Sequence, residues 1–160
     1  MIYSYELEKQ LLAGLLKDPA SLTEICNFVS ISDFYSDQSS LNSTIFRIIE
    51  QAVNAGDDID EIIVAQRVNE VGLSFEDNLK PSDYIKSLAL RKVPKGNVIK
   101  TAKELKKYSI RREILSSSQK IGSKMKKMPP EASYRDIIEA SDSIYNSRIN
   151  LYEIGNDVPV

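Results

Sequence analysis

Four cations, Lys100, Lys103, Lys107 and Arg111, follow one another at steps of three, four and four residues. On a helix that spacing places all four on one face. Such a face can neutralise phosphates without reading sequence, or meet an acidic protein surface. Lys106 and Arg112 flank the row, and Lys124, Lys126 and Lys127 gather further along. Only Tyr108 lies nearby, so stacking on successive bases has little support. A solvated or protein-facing helix surface is the favoured reading, with direct nucleic-acid contact second. A second cluster, Asp57, Asp58, Asp60 and Glu61, offers the oxygen ligands that a hard cation takes. It lacks EF-hand spacing and reads as carboxylates at a helix start, where the backbone dipole favours them.

Other chemistry is excluded by composition. The 160 residues include no His and one Cys, Cys26. A Cys/His zinc site, a Ser-His-Asp triad, a Cys-His pair and a disulfide framework are therefore ruled out. Cys26 reads as a small apolar residue on the inner face of a short helix. None of the glycines opens G-x-x-x-x-G-K-[ST] or G-x-G-x-x-G, so there is no phosphate loop or dinucleotide fingerprint. No pair of carboxylates stands out as an acid/base couple. Catalysis by this chain alone is not expected. The tyrosines read as packing and interface residues.

The formal charge of −2 hides a segregation. Residues 1–90 carry a net −9, residues 91–127 a net +11 and residues 128–160 a net −4. Such polarity points to complementary surfaces between subunits or partners, or to nucleic acid. No apolar run is long enough to span a membrane, and the N-terminus lacks the features of a secretory signal.

The elements that must position these residues are helical almost throughout. Leu7, Leu11, Leu12, Leu15 and Leu16 form one face of a helix over about residues 4–17. Gly14 on that helix costs about 1 kcal/mol against Ala, which a close helix–helix contact would offset. Asp18-Pro19 starts a short helix carrying Leu22, Ile25, Cys26 and Val29. Ser30 to Asp33 reads as a turn into Phe34-Tyr35, and residues 36–40 as a polar loop. Leu41, Ile45, Ile48, Ile49, Ala52 and Val53 give a third helix closed by Gly56. Helices follow to Gly72 and from Pro81. The segment Val93-Pro94-Lys95-Gly96-Asn97 breaks the chain. Beyond it two helices, about 98–127 and 132–148, meet at Met128-Pro129-Pro130 as an αα-hairpin. Its apolar stripe is Val98, Ala102, Leu105, Ile110, Ile114, Ile121 and Met125 on the first arm. The second arm offers Tyr134, Ile137, Ile138, Ile144 and Tyr145. Two helices bury little alone, so the hairpin needs something to pack against. The fold class is all-α: a globular helical head over residues 1–93, then a long hairpin over 94–148.

In this order the residues resemble the N-terminal domain of DnaB-type replicative helicases. Glu8-x-x-Leu11-Leu12-x-Gly14-Leu15-Leu16-x-Asp18-Pro19 looks like that family's first helix and turn. Asp33-Phe34-Tyr35 resembles its aspartate–aromatic pair. Asn42-x-x-Ile45-Phe46-x-x-Ile49, Gly56 and Ile59-Asp60 follow its third helix and the start of its fourth. Tyr84-Ile85-x-x-Leu88, Val93-Pro94 and Asn97 match the lead into the hairpin, and Arg111-Arg112 a basic pair on it. Asn42 stands where a His is usual, and the loop after Tyr35 is about three residues longer than typical.

The resemblance implies a non-catalytic domain of a hexameric helicase, supporting ring assembly and docking a primase or loader in DNA replication. Subunits would meet through the hairpin at Ile110, Ile114, Ile121, Met125, Ile137, Ile138, Ile144 and Tyr145. Lys100, Lys103, Lys107 and Arg111 would face nucleic acid or an acidic partner, with DNA contact by this domain weak or indirect. No cofactor is expected here. ATP and magnesium would belong to an ATPase domain following residue 160, with residues 149–160 beginning the linker. The compartment implied is the cytoplasm of a bacterium, or of its host if the chain is phage-encoded. The alternative is a stand-alone adaptor, or the helicase-binding domain of a primase with the same fold.

Overall fold

The computed structural model describes residues 2–35, 41–72, 79–94 and 96–156, with side chains described through residue 147. The loop expected at 36–40 lies outside the described residues. Among the described residues the fold is all-α, with helices α1 (Tyr5–Lys17), α2 (Leu22–Ile25), α3 (Leu41–Asn54), α4 (Glu61–Val71), α5 (Pro81–Ala89), α6 (Asn97–Lys127) and α7 (Tyr134–Asn156). Residues 3–107 form one compact unit, a helical head, and residues 108–160 with Ile2 form another.

Caps, prolines and a glycine mark several helix ends of the first unit. Ser4 caps α1 by accepting from the Leu7 amide, and Asp60 caps α4 by accepting from the Ile63 amide at 2.8 Å. Both satisfy amides that have no carbonyl partner in the first turn. Pro19 opens a single 3-10 turn before α2, and Pro81 opens α5, positions where the missing N–H costs nothing. Gly72 ends α4 in the left-handed region, at φ 72°, which a side chain would disfavour.

The core forms where the apolar stripes meet. Helix α1 packs on α3 and α5, α3 on α4, and α4 on α5. Leu11, Leu12 and Leu15 of α1, with Ile45, Phe46 and Ile49 of α3, are shut off from solvent. Burying each such side chain is worth roughly 1.5–3 kcal/mol. Phe34 packs on Phe46 at 4.9 Å between ring centroids. The first three turns of α6 complete this core through Val98, Ala102 and Leu105. The Pro94–Asn97 break therefore begins the long helix without ending the first unit.

Gly14 supplies the close approach that its place on α1 suggested. A Cβ there would lie 2.6 Å from Val98 Cγ2 and 3.4 Å from Val93 Cγ1. Without one, α6 and the segment after α5 settle directly against the α1 backbone. Arg91 clamps the same region, bonding Glu6 at 2.9 Å and Gln10 Oε1 at 3.1 Å, while Lys17 Nζ donates to the Arg91 carbonyl.

Two expectations are corrected. Cys26 is exposed and does not join Leu22, Ile25 and Val29 in the core. Helix α2 ends at Ile25, and the chain then turns, carrying Cys26 outward toward Glu50 at 3.5 Å. The second arm of the hairpin continues to Asn156, beyond residue 148. Between Pro130 and Gly155 the sequence holds neither proline nor glycine, so nothing local stops the helix.

Candidate functional site

Among the described residues of the first unit, two buried polar constellations hold the fold together. Glu8 lies on the α1 stripe with no solvent exposure. Its carboxylate accepts from the Tyr35 amide and from Asn42 Nδ2, each at 3.0 Å. Asn42 Oδ1 in turn accepts from the Tyr84 hydroxyl. Burial pushes the Tyr84 phenol up to about 12, with the Asn42 bond opposing that rise. One side chain of α3 thus links α1 to α5. In the sequence Glu8 and Asn42 stand out only through the family resemblance. The signal for the burial of Glu8 is present in its spacing, because it precedes Leu11, Leu12 and Leu15 by three, four and seven residues.

Asp33 is the second. Its backbone sits in the 3-10 turn Ile31–Asp33, where its Oδ2 accepts from the Ser30 amide at 2.8 Å. Lys106 Nζ reaches both Asp33 oxygens at 3.1 Å. A carboxylate only 1% exposed is tolerable here because it is paired and bonded. Lys106 is therefore a structural cation of the first unit. Arg112, the other flanking residue, donates Nη1 to the Ile2 carbonyl at 2.9 Å within the second unit.

The row itself stays open. Lys100, Lys103, Lys107 and Arg111 are all exposed on the continuous helix α6. Lys107 pairs with Glu104 at 2.8 Å, and the Arg111 guanidinium lies 5.6 Å from the Tyr108 ring centroid. The structure thus separates two structural cations from four available ones, which spacing alone had not done.

The residues expected at a subunit contact all lie in the second unit. Along α6, Ile110, Ile121 and Met125 are half-buried, and Ile114 is 46% exposed beside Leu115. On α7, Ile138 is 60% exposed, Ile137 and Tyr145 are exposed, and Ile144 is half-buried. Helix α7 starts with reciprocal bonds: the Asp136 amide donates to Ser133 Oγ and the Ser133 amide to Asp136 Oδ2.

The acidic cluster does local work. Asp60 caps α4, and Asp57 pairs with Arg67 at 3.1 Å. Among the described residues no group of His, Cys, Asp or Glu is placed to hold a metal ion. Helices α4 and α5 border an open groove of about 680 Å³, lined by Ile62, Ala65 and Gln66 together with Glu61, Glu70 and Lys86. Among the described residues no helix is long and apolar enough to cross a membrane.

Comparison with known proteins agrees with this architecture. No curated protein sequence matches the chain. Among solved structures, the crystal structure of the N-terminal domain of DnaB helicase from Mycobacterium tuberculosis superposes with a TM-score of 0.75 at 14% identity. That match covers 91% of this chain and 97% of the mycobacterial one, and it establishes a shared fold. The sequence profile described as the DnaB-like helicase N terminal domain matches residues 1–107, the stretch that forms the helical head and the first turns of α6. The chain belongs to the DnaB-like helicase N-terminal domain family.

Proposed function

We propose that this domain is the non-catalytic N-terminal part of a hexameric replicative helicase, and that it supports ring assembly through its second unit. The observation that carries this reading is the apolar surface left open there. Ile114 and Leu115 on α6, and Ile137, Ile138 and Tyr145 on α7, remain exposed in the single chain. Side chains of this size at helical spacing mark an interaction surface, and a self-complementary one suits a two-fold contact between identical chains. The surfaces of the assembled domain then dock a primase or a helicase loader. In this reading ATP and magnesium act in a separate ATPase domain, which would carry the phosphate loop.

Light scattering after size exclusion tests the assembly. The chain should run as a dimer or larger. Ile114→Asp combined with Ile138→Asp should run as a monomer with unchanged helical circular dichroism, since both positions are exposed. A parent chain that stays monomeric at high concentration would overturn the reading.

A further inference from the structure

The basic row of α6 is a surface with an unusual composition for a protein contact. Lys100, Lys103, Lys107 and Arg111 are exposed and span about 16 Å of helix axis. The apolar residues of the same turns, Val98, Ala102 and Leu105, are buried in the first unit. Specific protein interfaces are built around aromatic or aliphatic anchors at a desolvated centre. The row offers none. Its one aromatic neighbour, Tyr108, is engaged with Arg111, so it is no platform for a run of bases. Contacts to phosphate need neither anchor nor stacking, only cations within reach of the backbone.

The local acids do not cancel the row. Glu104 pairs with Lys107 in an exposed geometry worth little, and a phosphate can displace it. Lys106 and Arg112 are committed to Asp33 and to the Ile2 carbonyl. What remains is a row of four cations on one face of helix α6. A nucleic-acid strand in a duplex carries a phosphate about every 3.4 Å of axis, so the line is long enough to meet three or four of them.

We propose that this row is a sequence-independent contact for the phosphodiester backbone of nucleic acid. It binds phosphates with Lys100, Lys103, Lys107 and Arg111 and reads no bases. The contact does not depend on the assembly surface proposed above, because it uses different side chains.

Fluorescence anisotropy with a labelled thymidine oligomer of roughly 30 nucleotides, and with a duplex of equal length, tests it across roughly 50 to 200 mM salt. On the single strand the logarithm of affinity should fall with the logarithm of salt with a slope of about −2 to −3, weakening binding about 16- to 60-fold over that range. The duplex slope should be steeper, about −3 to −4. Lys103→Ala should reduce the single-strand slope by about 0.7. The combined Lys100→Gln, Lys103→Gln, Lys107→Gln, Arg111→Gln variant should abolish binding while keeping the parent's melting curve and oligomeric state. Lys124→Gln, Lys126→Gln and Lys127→Gln together should retain binding. No binding at the lowest salt, or binding that survives the fourfold variant, would overturn the proposal. Displacement of the oligonucleotide by polyglutamate of equal charge and with equal potency would overturn it in favour of an acidic protein partner. Loss of assembly in the fourfold variant would show that the row belongs to the subunit contact instead. A parent chain that is monomeric yet binds with these slopes would separate failure of the assembly reading from failure of this one.

Discussion

Replacing Gly14 with Ala should destabilise the protein, although helix propensity alone predicts the opposite. On an unobstructed helix the change would stabilise α1 by about 1 kcal/mol. Here the new methyl would stand 2.6 Å from Val98 Cγ2. Carbon atoms prefer about 3.5–4.0 Å, so roughly 1 Å of space must be found. Val98 cannot readily yield it, because a β-branched side chain in a helix has one strongly preferred rotamer and this one is 7% exposed. Overpacking of this kind costs about 1–3 kcal/mol. Set against the propensity gain, the net loss should be about 1 kcal/mol, or a melting temperature lower by about 2–4 °C for a chain this size. Urea unfolding followed by circular dichroism measures it. Val98→Ala supplies the control. It removes the obstructing Cγ2 and costs about 2 kcal/mol on its own. In that background Gly14→Ala should become stabilising by about 1 kcal/mol, because the next atoms lie at ordinary contact distances of 3.4 and 3.5 Å. The sign reversal amounts to a coupling of about 2 kcal/mol. Gly14→Ala that stabilises the parent, or acts equally in both backgrounds, would refute the close-approach reasoning.

Further substitutions probe Lys106 and Cys26, whose surroundings the sequence did not reveal. Lys106→Met keeps the aliphatic stem but leaves the Asp33 carboxylate, 1% exposed, without its cation; urea unfolding should show a loss of about 2 kcal/mol, while Lys100→Met on the open row should stay within about 0.5 kcal/mol. Cys26 is exposed yet should alkylate slowly, because desolvation and then the Glu50 carboxylate raise its thiol to about 11. Its iodoacetamide rate at pH 8 should be about 10-fold below that of an unperturbed thiol, because the roughly 100-fold smaller thiolate fraction is partly offset by the greater nucleophilicity of a more basic thiolate, and Glu50→Gln should speed it; reaction at the ordinary rate would contradict the desolvated setting beside Glu50.

The helices were legible because each carries its apolar residues at a period a helix requires. Leu11, Leu12 and Leu15, and likewise Ile45, Ile48 and Ile49, are buried where their spacing put them. Gly14 was legible too, as a helix residue whose cost demanded a neighbour. What spacing did not carry was the assignment of polar side chains. Lys106 and Arg112 look like part of the basic row until Asp33 and the Ile2 carbonyl, 73 and 110 residues away, claim them. Those partners lie too far along the chain for any local period to reveal. Cys26 fits the stripe of α2 by count, but α2 stops one residue earlier, and the turn that follows carries Cys26 outward before Val29 returns to the core. Asn42 is the subtlest case. Its amide both donates to Glu8 and accepts from Tyr84, a bridging role that no pattern in α3 announces.

Helix α6 shows how much a single irregular step can carry. Val98, Ala102 and Leu105 recur at steps of four and three, and all are buried in the first unit. Ile110, Ile114, Ile121 and Met125 recur at four, seven and four. Between Leu105 and Ile110 the step is five, and five residues advance a helix by about 140° beyond a full turn. The apolar stripe therefore changes face midway along one unbroken helix. Before the shift it closes the core of the head, and the opposite face carries the cations. After it, the apolar side chains lie in line with those same cations: Ile114 follows Arg111 by three residues, and Met125 follows Ile114 by eleven. One face of α6 thus runs from cationic to apolar, with the change at Arg111 and Ile114. Charge removal before that point and Ile114→Asp after it act on adjacent turns of one helix. If the two halves do separate work, the first change should alter nucleic-acid binding and leave assembly intact, and the second should do the reverse at a protein concentration where the parent is assembled. Their effects on each readout would then be additive.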